Sequence, residues 1–293
     1  MTLSIKQLAP TFAGEVTGVD CRERLSADEV TAIHAGMAEF AVLVFRDQPL
    51  TDDEQLRFTL YLGDLEETRG GTSGNIHFRT DREVRNLGVG IKDFSNVGPD
   101  GAPLSSNGRA YAFKLADQLW HSDSSFNAIP ASYSLLSSRS VVSWGGNTEF
   151  ADMRAAYDAL DGETKVEIED LVCEHSLIYS REAIGFFDLT SEERDYFQPV
   201  RHRLVRDDAR TGRKSLFLSA HAGAIVGWTI PEARVFLRDL TEHATQPRFV
   251  YRHVWRAGDL LMWDNRTTMH RARRFDRNEV RDVRRTTLAG AAE

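Results

Sequence analysis

The chain has 293 residues, of which 41% are hydrophobic and 27% charged, and its formal net charge is −8. This composition is typical of a soluble globular protein, and the acidic balance argues against a general nucleic-acid binder, which requires a basic surface. No apolar stretch approaches the roughly 18 residues of a membrane span, the N-terminus lacks the features of a signal peptide, and Cys21 and Cys173 form no paired motif; we therefore expect a cytoplasmic protein without a membrane anchor.

The first part of the chain is predicted to alternate strands and helices. Residues 3–20 are typical of short strands with turns at Gly14 and Gly18. Two capping boxes, which begin at Ser26 and Thr51, predict helices that end near residues 39 and 62. Between these helices the continuous apolar run AVLVF (41–45) indicates a buried strand.

Residues 66–118 differ in composition from what precedes them. They contain GGTSGN, DFSNVGPDGAP and SSNGR, which are rich in turn formers. Because this stretch is too long for a plain connection, we predict an active-site lid that contains small strands.

The remainder of the chain is dominated by short strand patterns. Two helices are expected within 152–172 and one from Pro231 to about Thr245, whereas 181–200 has no clear period and is predicted to be a second excursion. Strands are predicted at 131–142, 144–150, 215–221, 249–255, 260–263 and about 280–289. Many short strands with a few outer helices predict an α+β protein, a single domain over 1–293 with a jelly-roll core and flanking helices.

The stretch LWHSDSSF (119–126) carries the first chemical signal. If this stretch is a strand, His121 and Asp123 point to the same face. A histidine and a carboxylate are two of the three ligands of the 2-His-1-carboxylate triad that binds non-haem iron. The pair alone is common by chance. Among the other histidines, His270 is the best third ligand because it follows a buried run and a polar loop and precedes several arginines.

Arginines on the last predicted strand give a second signal. In VRDVRRTTL (280–288), Arg281 and Arg285 share one strand face. Buried arginines need anionic partners, and arginine binds carboxylates in a bidentate manner. Spacing alone is compatible with two carboxylate-bearing ligands or with an exposed, solvated basic strand.

Several motifs together resemble a known family. LWHSDSSF, GGNTEFADMRAAYDAL (145–160), EHAT (242–245) and GDLLMWDNRTTMHRARR (258–274) resemble the Fe(II)/2-oxoglutarate-dependent dioxygenases of the taurine dioxygenase family, and among these they are most similar to the 2,4-dichlorophenoxyacetate (2,4-D) dioxygenases. The resemblance covers nearly the whole chain, from TGVD near residue 17 to the last strand. It implies a double-stranded β-helix, the use of Fe(II), 2-oxoglutarate and O2, and a homo-oligomeric enzyme.

The resemblance also implies a role for each of eight residues. Iron would be held by His121, Asp123 and His270. The distal carboxylate of 2-oxoglutarate would contact Thr148 and Arg281, with Trp263 packed near this co-substrate. The anionic group of the substrate would bind Arg285, and His221 would line the substrate pocket.

Other functions are compatible with parts of this pattern. The predicted reaction is hydroxylation of the α-carbon of an aryloxyacetate to give a phenol and glyoxylate, with succinate and CO2 as co-products. Because arginine accepts either anion, the substrate is alternatively taurine, another alkylsulfonate or another small carboxylate. A zinc hydrolase and a non-catalytic sensor of a small acid are two further alternatives. The predicted lid departs most from the herbicide enzymes, and lids select substrates.

Overall fold

A computed structural model describes residues 3–66, 85 and 87–291. The helices are α1 (Ala27–Phe40), α2 (Asp52–Leu62), α3 (Arg109–Lys114), α4 (Met153–Asp158), α5 (Gly162–Ile168), α6 (Leu177–Ala183), α7 (Ser191–Tyr196) and α8 (Ile230–Ala244). The first eight strands are β1 (Ser4–Gln7), β2 (Gly14–Thr17), β3 (Val42–Phe45), β4 (Lys92–Asp93), β5 (Tyr133–Ser140), β6 (Thr148–Asp152), β7 (Val172–His175) and β8 (Val200–Arg203). The remaining strands are β9 (Val205–Asp208), β10 (Arg213–Leu216), β11 (Ala222–Ile225), β12 (Val250–His253), β13 (Leu260–Asp264), β14 (Thr268–Ala272) and β15 (Asp282–Thr287).

The two predicted capping boxes are present and begin the first two helices. The Ser26 hydroxyl accepts from the backbone of Glu29 while the Glu29 side chain accepts from the backbone of Ser26, and Thr51 and Glu54 form the same pair. Each pair satisfies two backbone N–H groups that a helix start leaves without partners. The helix predicted from Pro231 and the two helices predicted within 152–172 are also confirmed.

Four local predictions are wrong. Gly14 lies within β2 rather than in a turn. The excursion predicted at 181–200 contains the end of α6 and the whole of α7, which a capping box at Thr190 begins. The strand predicted at 215–221 ends at Leu216, and β11 follows it after a short connection. The stretch 119–126 is not a strand; its geometry is described below.

The strands form one large sheet and several smaller ones. The large sheet has the order β1-β2-β3-β13-β5-β15-β4, and a three-stranded sheet has the order β12-β6-β14. Two further small sheets have the orders β11-β7-β8 and β10-β9. This arrangement of mostly antiparallel sheets is the predicted jelly roll.

Alternation along the central strands explains how they pack on both sides. Val42 and Val44 of β3 and Leu261 and Trp263 of β13 join Phe150 of β6 in one core cluster between the sheets. The intervening residues, such as Leu43, Leu260 and Met262, pack against α1 and α2 on the other face. Because both faces are covered, these strands have the continuous apolar runs seen in the sequence.

The predicted lid lies partly outside the described residues, since 67–84 and 86 are not among them. Its described part contains β4, which pairs with β15, and α3, which leads to the stretch before His121. Within the described residues no helix is long and apolar enough to cross a membrane.

Candidate active site

A backbone bridge places the two predicted histidine ligands side by side. The N–H of His121 donates to the carbonyl of His270 at 3.0 Å, and the N–H of His270 donates back at 2.8 Å. The two ring centroids are 4.2 Å apart. His270 lies on β14, whose pairing with β6 and packing against Trp263 and Phe150 fix its position.

Asp123 reaches the histidines through a turn and not through a strand face. Residues 123–126 form this turn, and Ser124 has a φ of 56°. A positive φ is uncommon for serine, and such strain is concentrated at functional sites. The carboxylate lies 3.9 Å from Nε2 of His121 and 3.8 Å from Nε2 of His270. The expected convergence is therefore present, although the strand that predicted it is absent.

The surroundings of the three side chains suit a divalent metal. His121 Nδ1 lies 2.8 Å from the carbonyl of Leu119, so Nδ1 donates there and Nε2 is the ring nitrogen directed at Asp123. Burial lowers the pKa of His270 to about 3 and keeps its imidazole neutral. Burial alone would raise the pKa of Asp123, but the Arg285 guanidinium and a hydrogen bond from Ser134 hold it below its usual range.

One ligand atom from each residue lies within 4.8 Å of the other two, and all three side chains are buried. Two imidazoles and a carboxylate fit Fe(II), and a three-ligand set leaves coordination positions for 2-oxoglutarate and O2.

Arg285 lies directly beside this cluster. It is buried, its guanidinium forms a charge-assisted hydrogen bond with the Asp123 carboxylate, and it lies 4.0 Å above the ring of Phe94. Its Nε has no hydrogen-bond partner among the described residues. Arg285 is thus a buried cation with a free donor, which suits recognition of an anion next to the metal ligands.

Arg281 is a second buried arginine, and its guanidinium has no ion pair with any described residue within 4.0 Å. Burial lowers the pKa of Arg281 to about 10, and Asp117 partly offsets this effect. Its guanidinium lies 5.7 Å from the ring of Phe275. The Arg281 side chain can lie close to the backbone of residue 146 because that residue is glycine; a Cβ there would lie 3.3 Å from Arg281 Nε.

The strand face predicted for the arginines is only partly correct. β15 begins at Asp282, and its pairing with β5 shifts between Asp282 and Val283. Arg281 therefore precedes the strand, yet it is buried like Arg285. The basic strand is not solvated on this face; Arg284, which points away, pairs with Asp52 and Asp282.

Thr148 begins β6, two residues after Gly146. Its hydroxyl oxygen accepts a hydrogen bond from Trp255 Nε1 at 3.0 Å, so its hydrogen can be donated to a further acceptor. Thr148 pairs with Ala272 while Phe150 pairs with His270, which places Thr148 on the strand that supports the histidine. The sequence analysis did not identify Trp255.

His221 and Trp263 occupy different positions around the cluster. The His221 ring lies 5.9 Å from His121 and 5.0 Å from Phe126, and burial lowers its pKa well below the usual range. The Trp263 ring lies 4.8 Å from His270 and donates from Nε1 to the side chain of Asn265 at 3.0 Å. Trp263 therefore supports the histidine; its expected contact with the co-substrate stays a prediction.

Sequence reasoning missed Ser134 and Asn265, which hydrogen-bond around Asp123. The only signals were a serine in the middle of one buried strand pattern and an asparagine directly after a second buried strand pattern. Neither pattern specifies which residue the side chain contacts.

A jelly roll that gathers two histidines and a carboxylate in its interior defines the class of mononuclear non-haem iron oxygenases. Residues 4–287 match the model of the "Taurine catabolism dioxygenase TauD, TfdA family", and the chain belongs to this family. The predicted resemblance is thereby confirmed.

Individual relatives cover almost the whole chain. The α-ketoglutarate-dependent 2,4-dichlorophenoxyacetate dioxygenase of Cupriavidus pinatubonensis is 44% identical over 98% of each chain. The (S)-phenoxypropionate/α-ketoglutarate dioxygenase of Sphingobium herbicidovorans is 34% identical over 98% of this chain and 94% of its own. The crystal structure of AAD-2 in complex with Mn(II) and N-oxalylglycine has a TM-score of 0.90 and 52% identity, covering 99% of this chain and 98% of that one.

Proposed function

We propose that this Fe(II)- and 2-oxoglutarate-dependent dioxygenase hydroxylates the α-carbon of an aryloxyacetate such as 2,4-D. The observation that carries the proposal is the position of Arg285, a buried arginine in direct contact with Asp123 and with a free Nε donor. A substrate carboxylate on this guanidinium would place the adjacent α-carbon beside the metal ligands. The 44% identity to a 2,4-D dioxygenase supports the same substrate class.

His121, Asp123 and His270 would hold the iron, and Arg281 with Thr148 would bind the distal carboxylate of 2-oxoglutarate. When bound, iron with 2-oxoglutarate and O2 supplies the oxidation, in which 2-oxoglutarate loses CO2 to give succinate and one oxygen atom enters the substrate C–H bond. The contribution of the protein is to orient both acids and to exclude water.

The two arginines would bind the two acids at different places. Arg281 lies near Phe275 and Gly146, whereas Arg285 lies between Phe94 and Asp123. Arg281 would gain an anionic partner on binding and Arg285 would share itself between Asp123 and the substrate, so each acid is directed to one place and the α-carbon is held in one orientation. His221, neutral and buried beside His121, would contact the remainder of the substrate.

The product of this hydroxylation decomposes without further catalysis. A hydroxyl group on the carbon that also carries the ether oxygen is a hemiacetal. Its C–O bond to the aryl oxygen breaks as the hydroxyl loses its proton, and the aryl oxygen is protonated. One phenol and one glyoxylate are formed for each succinate and CO2.

The segment 66–118 is proposed to act as the lid that selects the substrate. Support comes from its described part, because Phe94 lies 4.0 Å from the Arg285 guanidinium and β4 pairs with β15 at Arg285. We further propose that residues 1–293 form one catalytic domain, that the enzyme is cytoplasmic, in keeping with its two free, buried cysteines, and that it self-associates. Sedimentation velocity would test self-association.

The test of the function is anaerobic reconstitution with Fe(II), followed by 2-oxoglutarate, 2,4-D and air. Phenol and succinate in equal amounts are expected, and the variant Asp123→Ala should form neither because it lacks a metal ligand. Succinate without phenol would reject the aryloxyacetate, and taurine would then be assayed as the sulfonate alternative. No succinate with any acid, despite bound iron, would reject the proposed reaction.

A further inference from the structure

We propose that Ser134, held by Asn265, is a positioning residue that orients the Asp123 carboxylate for the metal. This inference rests on the proposed role of Asp123 as a ligand. Ser134 lies on β5 and is completely buried, and its hydroxyl donates to Asp123 Oδ2 at 2.7 Å. Arg285 bonds the other oxygen, Oδ1, so both carboxylate oxygens have a partner within the protein.

The direction of the hydrogen bond from Ser134 is fixed by Asn265. The Nδ2 group of Asn265 donates to Ser134 Oγ at 3.0 Å. A serine hydroxyl has a single hydrogen. Since its oxygen already accepts from Asn265, that hydrogen is directed to Asp123.

The amide of Asn265 is itself held in one orientation. Its Oδ1 accepts from Trp263 Nε1 at 3.0 Å and from the backbone N–H of Asp123 at 3.3 Å. Both partners only donate, so a flipped amide would place Nδ2 against two donors. Ser122 adds a further bond to the backbone carbonyl of Asn265 at 2.5 Å. A continuous series of bonds thus runs from Trp263 through Asn265 and Ser134 to Asp123.

This series of hydrogen bonds limits rotation of the Asp123 carboxylate about its Cβ–Cγ bond. Asp123 begins a turn whose next residue, Ser124, has a positive φ, and its backbone alone leaves that rotation free. A metal bound between Asp123 and the two histidines requires one carboxylate orientation. Partners of ligands that fix such an orientation typically change metal affinity by about tenfold to a hundredfold when they are removed.

The experiment compares Ser134→Ala with Ser137→Ala. Ser137 is also on β5 and completely buried, and it donates to Gln55 at 2.5 Å, away from Asp123. Ser134→Ala loses two buried hydrogen bonds, the one to Asp123 and the one from Asn265, whereas Ser137→Ala loses one, so Tm should decrease in both variants and more in Ser134→Ala. The affinity for Mn(II) is measured by titrating chelator-treated protein under anaerobic conditions, with calorimetric and electron paramagnetic resonance detection.

We expect Ser134→Ala to weaken Mn(II) binding about tenfold and Ser137→Ala to change it less than twofold. Ser134→Thr, which keeps the hydroxyl, should bind Mn(II) within about threefold of wild type and tests the inference even if Ser134→Ala folds poorly. Unchanged affinity in Ser134→Ala, or equal loss in Ser137→Ala, would overturn the positioning role alone. A wild-type protein that binds no Mn(II) would overturn both the metal centre and this inference.

Discussion

Replacing each buried arginine in turn by glutamine should raise KM mainly for one of the two acids. Arg281 has no ion pair with a described residue, so within the described part of the chain it loses no anionic partner when a carboxylate binds. A hydrogen bond to a charged group contributes about 1.5–3 kcal/mol, and a bidentate pair has two. We therefore expect Arg281→Gln, which keeps part of the hydrogen bonding, to raise KM for 2-oxoglutarate about 100-fold, equivalent to about 2.7 kcal/mol.

Arg285 differs because it is already bonded to Asp123. A substrate carboxylate must share or replace this partner, so the net contribution of Arg285 to substrate binding is smaller than that of an unpaired cation. We expect Arg285→Gln to raise KM for 2,4-D about tenfold and KM for 2-oxoglutarate less than threefold.

The assay is the initial rate of succinate release, with each acid varied at saturation of the other. Arg284→Gln is the matched control, because Arg284 lies between the two arginines in sequence and pairs with Asp52 and Asp282 on the other face. It should leave both KM values within about twofold. Equal effects of Arg281→Gln on both acids, or of Arg285→Gln on both, would refute the assignment of one arginine to each acid.

Three further predictions concern stability. Gly146→Ala should lower it by about 1–2 kcal/mol, because φ is +66° and the new Cβ would lie 3.3 Å from Arg281 Nε; thermal unfolding would measure this. Arg154→Met should cost about 3–5 kcal/mol by leaving the buried Asp152 carboxylate unpaired, as measured by urea unfolding. Burial lowers the pKa of His175 well below 6.5, so its contribution to stability should be lost as pH falls below about 6.5, and His175→Leu should weaken this dependence.

Each of these three stability predictions can be contradicted by a specific result. Unchanged unfolding of Gly146→Ala would mean that the turn tolerates a side chain. An Arg154→Met variant as stable as wild type would mean that Asp152 is not a buried charge in need of a partner. For His175, the folded state binds fewer protons than the unfolded state below pH 6.5, so stability must decrease there as the pH falls. An identical pH dependence in wild type and His175→Leu would exclude that histidine as the cause.

Local signals in the sequence predicted much of the fold. The capping boxes at Ser26 and Thr51 define helix starts through bonds between neighbours, and these helices were confirmed. The apolar runs of β3 and β13 were also sufficient, because central strands covered on both faces are apolar throughout. The excursion predicted at 181–200 was wrong since α6 and α7 are too short to show a helical period.

The convergence of the candidate site residues was predicted, but partly from a local structure that is absent. His121 and Asp123 were expected to converge because of strand geometry, whereas the turn at Ser124 brings Asp123 to His121 and a backbone bridge joins His121 to His270. A positive φ at serine has no clear sequence signal. Ser134 and Asn265 were missed because their contacts depend on how β5 and the loop after β13 meet, which no local pattern encodes.

The bridge between His121 and His270 has a consequence for how the enzyme is made. One histidine belongs to the first half of the chain and the other to the last strands, so neither half alone contains a complete ligand set. Joining them closes a very long loop, which is a slow and entropically costly step of folding. The three candidate ligands therefore come together only when strands from both halves of the chain have paired, and a chain that ends before His270 would lack one of them.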